Sequence, residues 1–235
     1  MWARVLRACD MDVHAIQLQP AARGLADTQL HDYCLQVDEA VRSLPQPRVL
    51  VGASLGGLLA MMCADVAEAL VLVNPIPPQP WHAHLPRREW APVVDWNSSA
   101  RLEATGRSIG SGDEASALFA FRRWRDESGA VLREACAGVA VVTPACPTLV
   151  MLSNDDQDVP PALVVALATA WNAGTVRTGD NSHLGPLLGA NATSSAEQAV
   201  AWLNRVAPRS RNSDLVGTVG PQDAPASFRR PEIPI

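Results

Sequence analysis

"RVLVGASLGGLLA", residues 48–60, is an apolar run of strand length that turns at a glycine and a serine into a second apolar run of helical character. A strand that passes directly into a helix forces the residue at the junction, Ser54, into an unfavourable backbone region. Its neighbours two places either side must be small for the turn to close, and these are Gly52 and Gly56. Such a turn lifts the Ser54 hydroxyl over the sheet edge. The Leu55 N–H, at the helix start, then points to where negative charge would develop on an attacked carbonyl. Ser54 is therefore expected to be a nucleophile, Leu55 an oxyanion donor, and Gly52 and Gly56 the elbow glycines; Gly57 would let the helix pack closely. A G-x-S-x-G string alone is weak, because many such strings are loops; the strand before it and the helix after it supply the context.

Outward from this stretch, apolar runs of strand length recur at 13–18, 48–52, 69–74, 147–153 and, more weakly, 174–179. Strands apolar on both faces belong inside a parallel sheet covered by helices. Helical patterns lie between them. In residues 30–44, Leu30, Tyr33, Cys34, Val37, Val41 and Leu44 share one face, with Asp27 or Thr28 as N-cap and Pro45 and Pro47 ending the helix. Further helices are expected over 55–66, from Pro161 to Trp171, and over 195–206. The alternation predicts an α/β layer fold with a mostly parallel sheet flanked by helices. Residues 75–144 carry helical pieces without a strong strand signal and read as a lid inserted into a core spanning 1–206. The Pro-, Ser- and Gly-rich residues 207–235 read as a disordered tail.

A serine needs a base, and the base needs an acid to hold its tautomer. Asp155, Asp156 and Asp158 come after the strand at 147–153, just before a helix opened by proline, and His183 lies in a loop after the last weak strand. With "GASLGG", "SNDDQDVPP" and "GDNSHLGP" in this order, the chain resembles the α/β-hydrolase fold family over about residues 2–205. The resemblance implies Ser54 as nucleophile, Asp156 as acid and His183 as base. Asp156 is preferred because it stands three residues before Val159-Pro160; Asp155 is the runner-up, and Asp158 reads as a charge at the next helix's N-terminus. Ser153 occupies the family's usual glycine position. The acid lies 102 residues beyond the nucleophile (from 54 to 156), room for a lid.

The resemblance implies a serine hydrolase of small esters or thioesters, needing no cofactor or metal and acting on a small-molecule substrate. Its alternative is a catalytically impaired binding protein or truncated remnant. A serine at the elbow argues against the branches that use an aspartate there. The resemblance further implies a strand and a second oxyanion donor upstream of Met1, so the N-terminal strands are expected to be missing from this sequence and the native chain to begin about 20–40 residues earlier. Unpaired backbone groups beside the 48–52 strand would cost about 1–3 kcal/mol each.

Composition narrows the rest. With 235 residues, 48% of them hydrophobic, the chain is long enough for one domain, and a net charge of −5 argues against nucleic acid or an anionic membrane as partner. Five cysteines without C-x-x-C spacing read as reduced core residues, and no run approaches the roughly 18 apolar residues of a membrane helix, so a cytoplasmic protein is expected. The sequons at Asn97 and Asn191 are then not glycosylated. His14 and His31 read as structural. His82 and His84 have the spacing of adjacent ligands on a strand but no partners to complete a metal site. The tryptophans of 75–144 serve either an acyl pocket or packing, and Arg122, Arg123 and Arg125 read most simply as a solvated helix face, with a contact to a substrate carboxylate as the alternative.

Overall fold

The computed structural model describes residues 1–110 and 114–206; the tail at 207–235 lies outside the described residues. In chain order the elements are α1 (Trp2–Ala8), α2 (Leu30–Arg42), β1 (Val49–Ala53), α3 (Leu55–Met62), β2 (Ala69–Val73), β3 (Val93–Val94), α4 (Trp96–Ser99), α5 (Leu102–Ile109), α6 (Glu114–Phe121), β4 (Glu127–Ser128), α7 (Gly129–Ala137), β5 (Thr148–Leu152), α8 (Pro161–Ala170), β6 (Gly174–Arg177), α9 (Gly185–Leu188) and α10 (Ala192–Val206).

Four strands form one parallel sheet in the order β1-β2-β5-β6, with Ala53 beside Val73, Val73 beside Met151 and Leu152 beside Arg177. The two central strands are buried at every position, which is why they read as continuous apolar runs. Alternation sends Leu50, Leu70, Leu72, Val150 and Leu152 to a core shared with Tyr33 and Val37 of α2, Leu58 and Leu59 of α3 and Leu167 of α8. Val71, Val73, Leu149 and Met151 face the other way, onto Ala199, Trp202 and Leu203 of α10. Each parallel strand thus ends on the same side of the molecule, where the connecting loops gather.

One expected strand does not form. Residues 13–18 have no regular structure, Ile16 is exposed, and only Leu18 reaches the core. An apolar run becomes a strand only where a ladder partner lies beside it, and β1 pairs with β2 alone among the described residues. The helix expected over 55–66 ends at Met62 and gives way to a 3-10 turn, and α10 begins three residues earlier than the apolar spacing suggested. Helix α2 starts after Gln29, not after Asp27 or Thr28: Gln29 and Asp32 form a reciprocal cap in which the Gln29 N–H donates to Asp32 Oδ2 (2.7 Å).

Residues 75–146, between β2 and β5, hold helices α4 to α7 and a two-stranded antiparallel ribbon of β3 and β4 that the sequence did not signal. This insertion is joined to the core by buried and partly buried bonds: Tyr33 Oη donates to Glu127 Oε1 (2.7 Å), the Leu30 N–H to Glu134 Oε2 (2.9 Å), and Ser128 Oγ to the Thr28 carbonyl (2.6 Å). Three of its tryptophans pack on one another, Trp90 edge-on to Trp96 (6.2 Å between centroids) and Trp96 tilted against Trp124 (5.7 Å), while Trp81 packs edge-on to Trp171 of the core. Arg123 lies over the Phe119 ring, and Arg122, Arg123 and Arg125 are exposed.

Candidate active site

The site is assembled from the loops at the C-terminal ends of the parallel strands. After β1, Ser54 sits at φ +51°, a conformation that side-chain-bearing residues seldom adopt. The strand ladder fixes it: the Ser54 N–H donates to the Val73 carbonyl (3.0 Å), while its own carbonyl accepts from Gly57, Leu58 and Ile76. The N–H groups of Leu55 and Gly56, the first two residues of α3, have no intrahelical acceptor and form the positive end of the helix.

The glycines divide differently from the expectation. A Cβ on Gly52 would lie 2.2 Å from the Gly56 carbonyl oxygen, and one on Gly57 would lie 2.6 Å from Pro75 Cβ, so these two positions close the turn. A Cβ on Gly56 would meet nothing within 4 Å. Gly56 contributes its backbone to the crowding, and it is Gly57 that lets the segment after β2 approach the elbow.

After β5 come the three acidic candidates. Asp155 is exposed and bonds to Gln157 close by. Asp158 is partly exposed and paired with Arg88 of the insertion. Asp156 alone is buried: Oδ1 accepts the N–H groups of Asp158 (2.8 Å) and Val159 (3.0 Å), and Oδ2 accepts from His183 Nδ1 (2.6 Å). A carboxylate can only accept, so Nδ1 carries the hydrogen and Nε2 remains as the basic nitrogen. The His183 side chain is 11% exposed and that of Asp156 1%, so the pair is shielded while the imidazole keeps access to solvent. No hydrogen bond joins Ser54 Oγ to His183 among the described residues; the contact a serine nucleophile needs is often formed only when substrate is bound.

Buried polar side chains brace this region, and one of them, Asn74, carried no signal in the sequence for a role in the site. Asn74, directly after β2, is buried at φ +42°; its Nδ2 donates to the His183 carbonyl (2.9 Å) and to Ser153 Oγ (3.0 Å), and its Oδ1 accepts the Ser153 N–H (2.9 Å). Ser153 Oγ in turn donates to the Ser182 carbonyl (2.7 Å). Ser153, at the family's usual glycine position, thus links Asn74 to the histidine loop. The only local cue to Asn74 is an Asn at the end of an apolar strand, a residue type that tolerates left-handed backbone.

Asp156, Asp158 and His183 could each offer one ligand atom to a cation, all within 4.8 Å of one another. Every one of those groups already has a partner: Asp156 serves two backbone donors and His183, and Asp158 serves Arg88. The arrangement suits proton transfer better than metal binding. His82 and His84 lie on a 3-10 turn, not a strand, and belong to no group of three ligands among the described residues. A cleft of about 650 Å³ lined by His82, Arg88, Trp90, Arg133 and Cys136 lies within the insertion and includes none of Ser54, Asp156 and His183. No described helix is long and apolar enough to cross a membrane.

No curated protein sequence matches this chain. Among solved structures it is similar to polyneuridine aldehyde esterase (14% identity, 85% of this chain and 93% of that one, TM-score 0.63) and to tomato methylketone synthase I in complex with 2-tridecanone (14%, 87% and 93%, TM-score 0.64). A methylesterase from Arabidopsis is similar to the same degree (15%, 86% and 93%, TM-score 0.60). These likenesses concern the fold. The sequence itself matches the pattern of the alpha/beta hydrolase family over residues 1–223, nearly its whole length, and it is to this family that the chain belongs.

Proposed function

We propose that the chain is a serine hydrolase of a small carboxylic ester or thioester. Ser54 attacks the carbonyl while His183 Nε2 takes its proton, Asp156 holds the imidazole, and the Leu55 N–H stabilises the oxyanion of the tetrahedral intermediate. Collapse of the intermediate breaks the ester or thioester bond and expels the alcohol or thiol, which takes the proton from His183 Nε2; water deprotonated at that nitrogen then attacks the acyl-enzyme, the acid leaves, and the proton returns to Ser54. The single observation that carries this reading is the 2.6 Å bond from His183 Nδ1 to a buried Asp156, on the same side of the sheet as a serine held at positive φ. Two of the fold's neighbours are an esterase and a methylesterase, which agrees with an ester substrate. On this reading the insertion over the strand ends selects the substrate. The protein would need no cofactor, and its acidic charge suits a soluble substrate better than a polyanion.

The test is reaction with a fluorescent fluorophosphonate, which requires an activated serine. The purified protein is expected to label, and Ser54→Ala to abolish the label. Label that survives the change refutes Ser54 as nucleophile. No label on the unaltered, folded protein would favour the binding-protein reading, which predicts reversible ligand binding without an acyl-enzyme.

A further inference from the structure

His183 lies on an irregular loop between β6 and α9, so no regular ladder sets its position. Hydrogen bonds from several neighbouring segments hold the backbone of residues 178–184. The Thr178 N–H donates to the Leu152 carbonyl (2.9 Å), the Asn154 N–H to the Asp180 carbonyl (3.0 Å), and the Leu184 N–H to the Ser108 carbonyl (3.0 Å). Side chains donate as well: Asn154 Nδ2 to the Thr178 carbonyl at a long 3.5 Å and, on the histidine and its neighbour, Asn74 Nδ2 to the His183 carbonyl and Ser153 Oγ to the Ser182 carbonyl. Asn74 and Ser153 are both buried, and they are bonded to each other twice.

We infer that Asn74, acting with Ser153, is a positioning residue for His183: it ties the ends of β2 and β5 to the histidine's own carbonyl and so aims the imidazole at Asp156. This inference rests on the Ser54–His183–Asp156 reading for its functional meaning. An Asn is suited to the task because it must donate and accept at once while its backbone stays at φ +42°. Aspartate could still accept the Ser153 N–H but could not donate to His183. Glycine keeps the backbone conformation and loses the side chain, which separates the brace from backbone strain.

The experiment reads the His183–Asp156 bond without relying on turnover. The downfield proton resonance of the His183 Nδ1–H is recorded beside the rate of fluorophosphonate labelling, with circular dichroism to show that each protein folds. Asn74→Gly is expected to weaken or broaden the resonance and to slow labelling on the order of 10²-fold, the loss that a misplacement of about 1 Å produces. Ser153→Ala, which keeps the Asn74 to His183 bond, is expected to show a smaller loss in both, and Asn74→Asp is expected to give no rescue. Thr28→Ala is the control. It strips partly buried hydrogen bonds to Ala21 and Gly24, far along the chain from the histidine loop, and should lose stability while leaving resonance and labelling unchanged. The inference is overturned if Asn74→Gly matches the unaltered protein, if Thr28→Ala reproduces its effect, or if the unaltered protein lacks the resonance. Should Asn74→Gly not fold, an unchanged Ser153→Ala overturns it as well. An unaltered protein with the resonance but no label would sink the hydrolase reading and leave the brace to be judged on the resonance alone.

Discussion

At the scale of single residues, the three acids after β5 differ in surroundings rather than in chemistry. Only Asp156 has both oxygens engaged inside the protein. Asp156→Asn is therefore expected to lower the turnover rate by about 10³–10⁴, because an amide at that place stabilises the wrong imidazole tautomer. Asp155→Asn, at an exposed side chain, is expected to leave the rate unchanged; steady-state kinetics on an ester substrate decides between them. A fourth acid, Asp180, is buried in the histidine loop with Oδ2 unpartnered among the described residues and a single long bond, 3.5 Å, from Asn191. Burial raises its pKa above the ordinary 3.8, with the Asn191 bond opposing. The folded state therefore holds a proton that the unfolded chain has lost, and stability falls as pH rises through the folded pKa. Asp180→Asn should flatten that decline as pH rises above about 4, measured by urea denaturation across the range. A decline of the same slope in the variant would show that another group is responsible. The motif strings made Asp156 and His183 legible, since a triad repeats its residue types in order. Asn74 was not legible, because its importance lies in hydrogen bonds to Ser153 and His183, far from it in the sequence, and Asp180 was not, because its burial is set by the folded loop.

Among elements, the elbow shows where reading by spacing succeeds and where it fails. The strand, the turn and the helix were all evident from residues 48–60, because a strand's apolar run and a helix's periodicity are local properties. Which glycine the turn requires was not, since crowding at Gly57 comes from Pro75, nearly twenty residues on. Gly52→Ala should cost about 3 kcal/mol or more, because its Cβ would overlap a backbone oxygen that cannot move without unwinding α3. Gly57→Ala should cost about 1–3 kcal/mol, Pro75 being able to shift with its loop. Gly56→Ala has open space and should be neutral or stabilise by up to about 1 kcal/mol through helix propensity. Chemical denaturation midpoints of the three variants check the order; a Gly56 variant as unstable as the Gly52 variant would contradict it. The segment 13–18 failed for the complementary reason. Its composition is that of a strand, but pairing is a property of the sheet, and the segment pairs with none of the four strands.

For the whole molecule, that same sheet sets the exposure. Its central strands are covered on both faces, yet among the described residues β1 stands at an edge with Val51 41% exposed in the middle of an otherwise apolar strand. Val51 shares its face with Val49 and Ala53, which pack toward the α10 core, so the gap in cover is confined to the centre of the strand. Ile16, in the unpaired 13–18 segment, is also 41% exposed. An edge strand offers unpaired N–H and C=O groups to any other strand, and an apolar side chain at its centre adds a hydrophobic reward to that pairing. Proteins that leave such an edge open commonly place a lysine on it, and this chain has none anywhere in its sequence. The protein is therefore expected to associate as its concentration rises, with light scattering that grows faster than concentration. Val51→Lys should suppress the association by making strand addition bury a charge, while fluorophosphonate labelling of Ser54 stays as it was, because the side chain points away from the α3 face that carries the elbow. Association that persists unchanged in Val51→Lys would place the sticky surface elsewhere than β1. Association lost together with labelling would mean that the substitution had disturbed the strand itself.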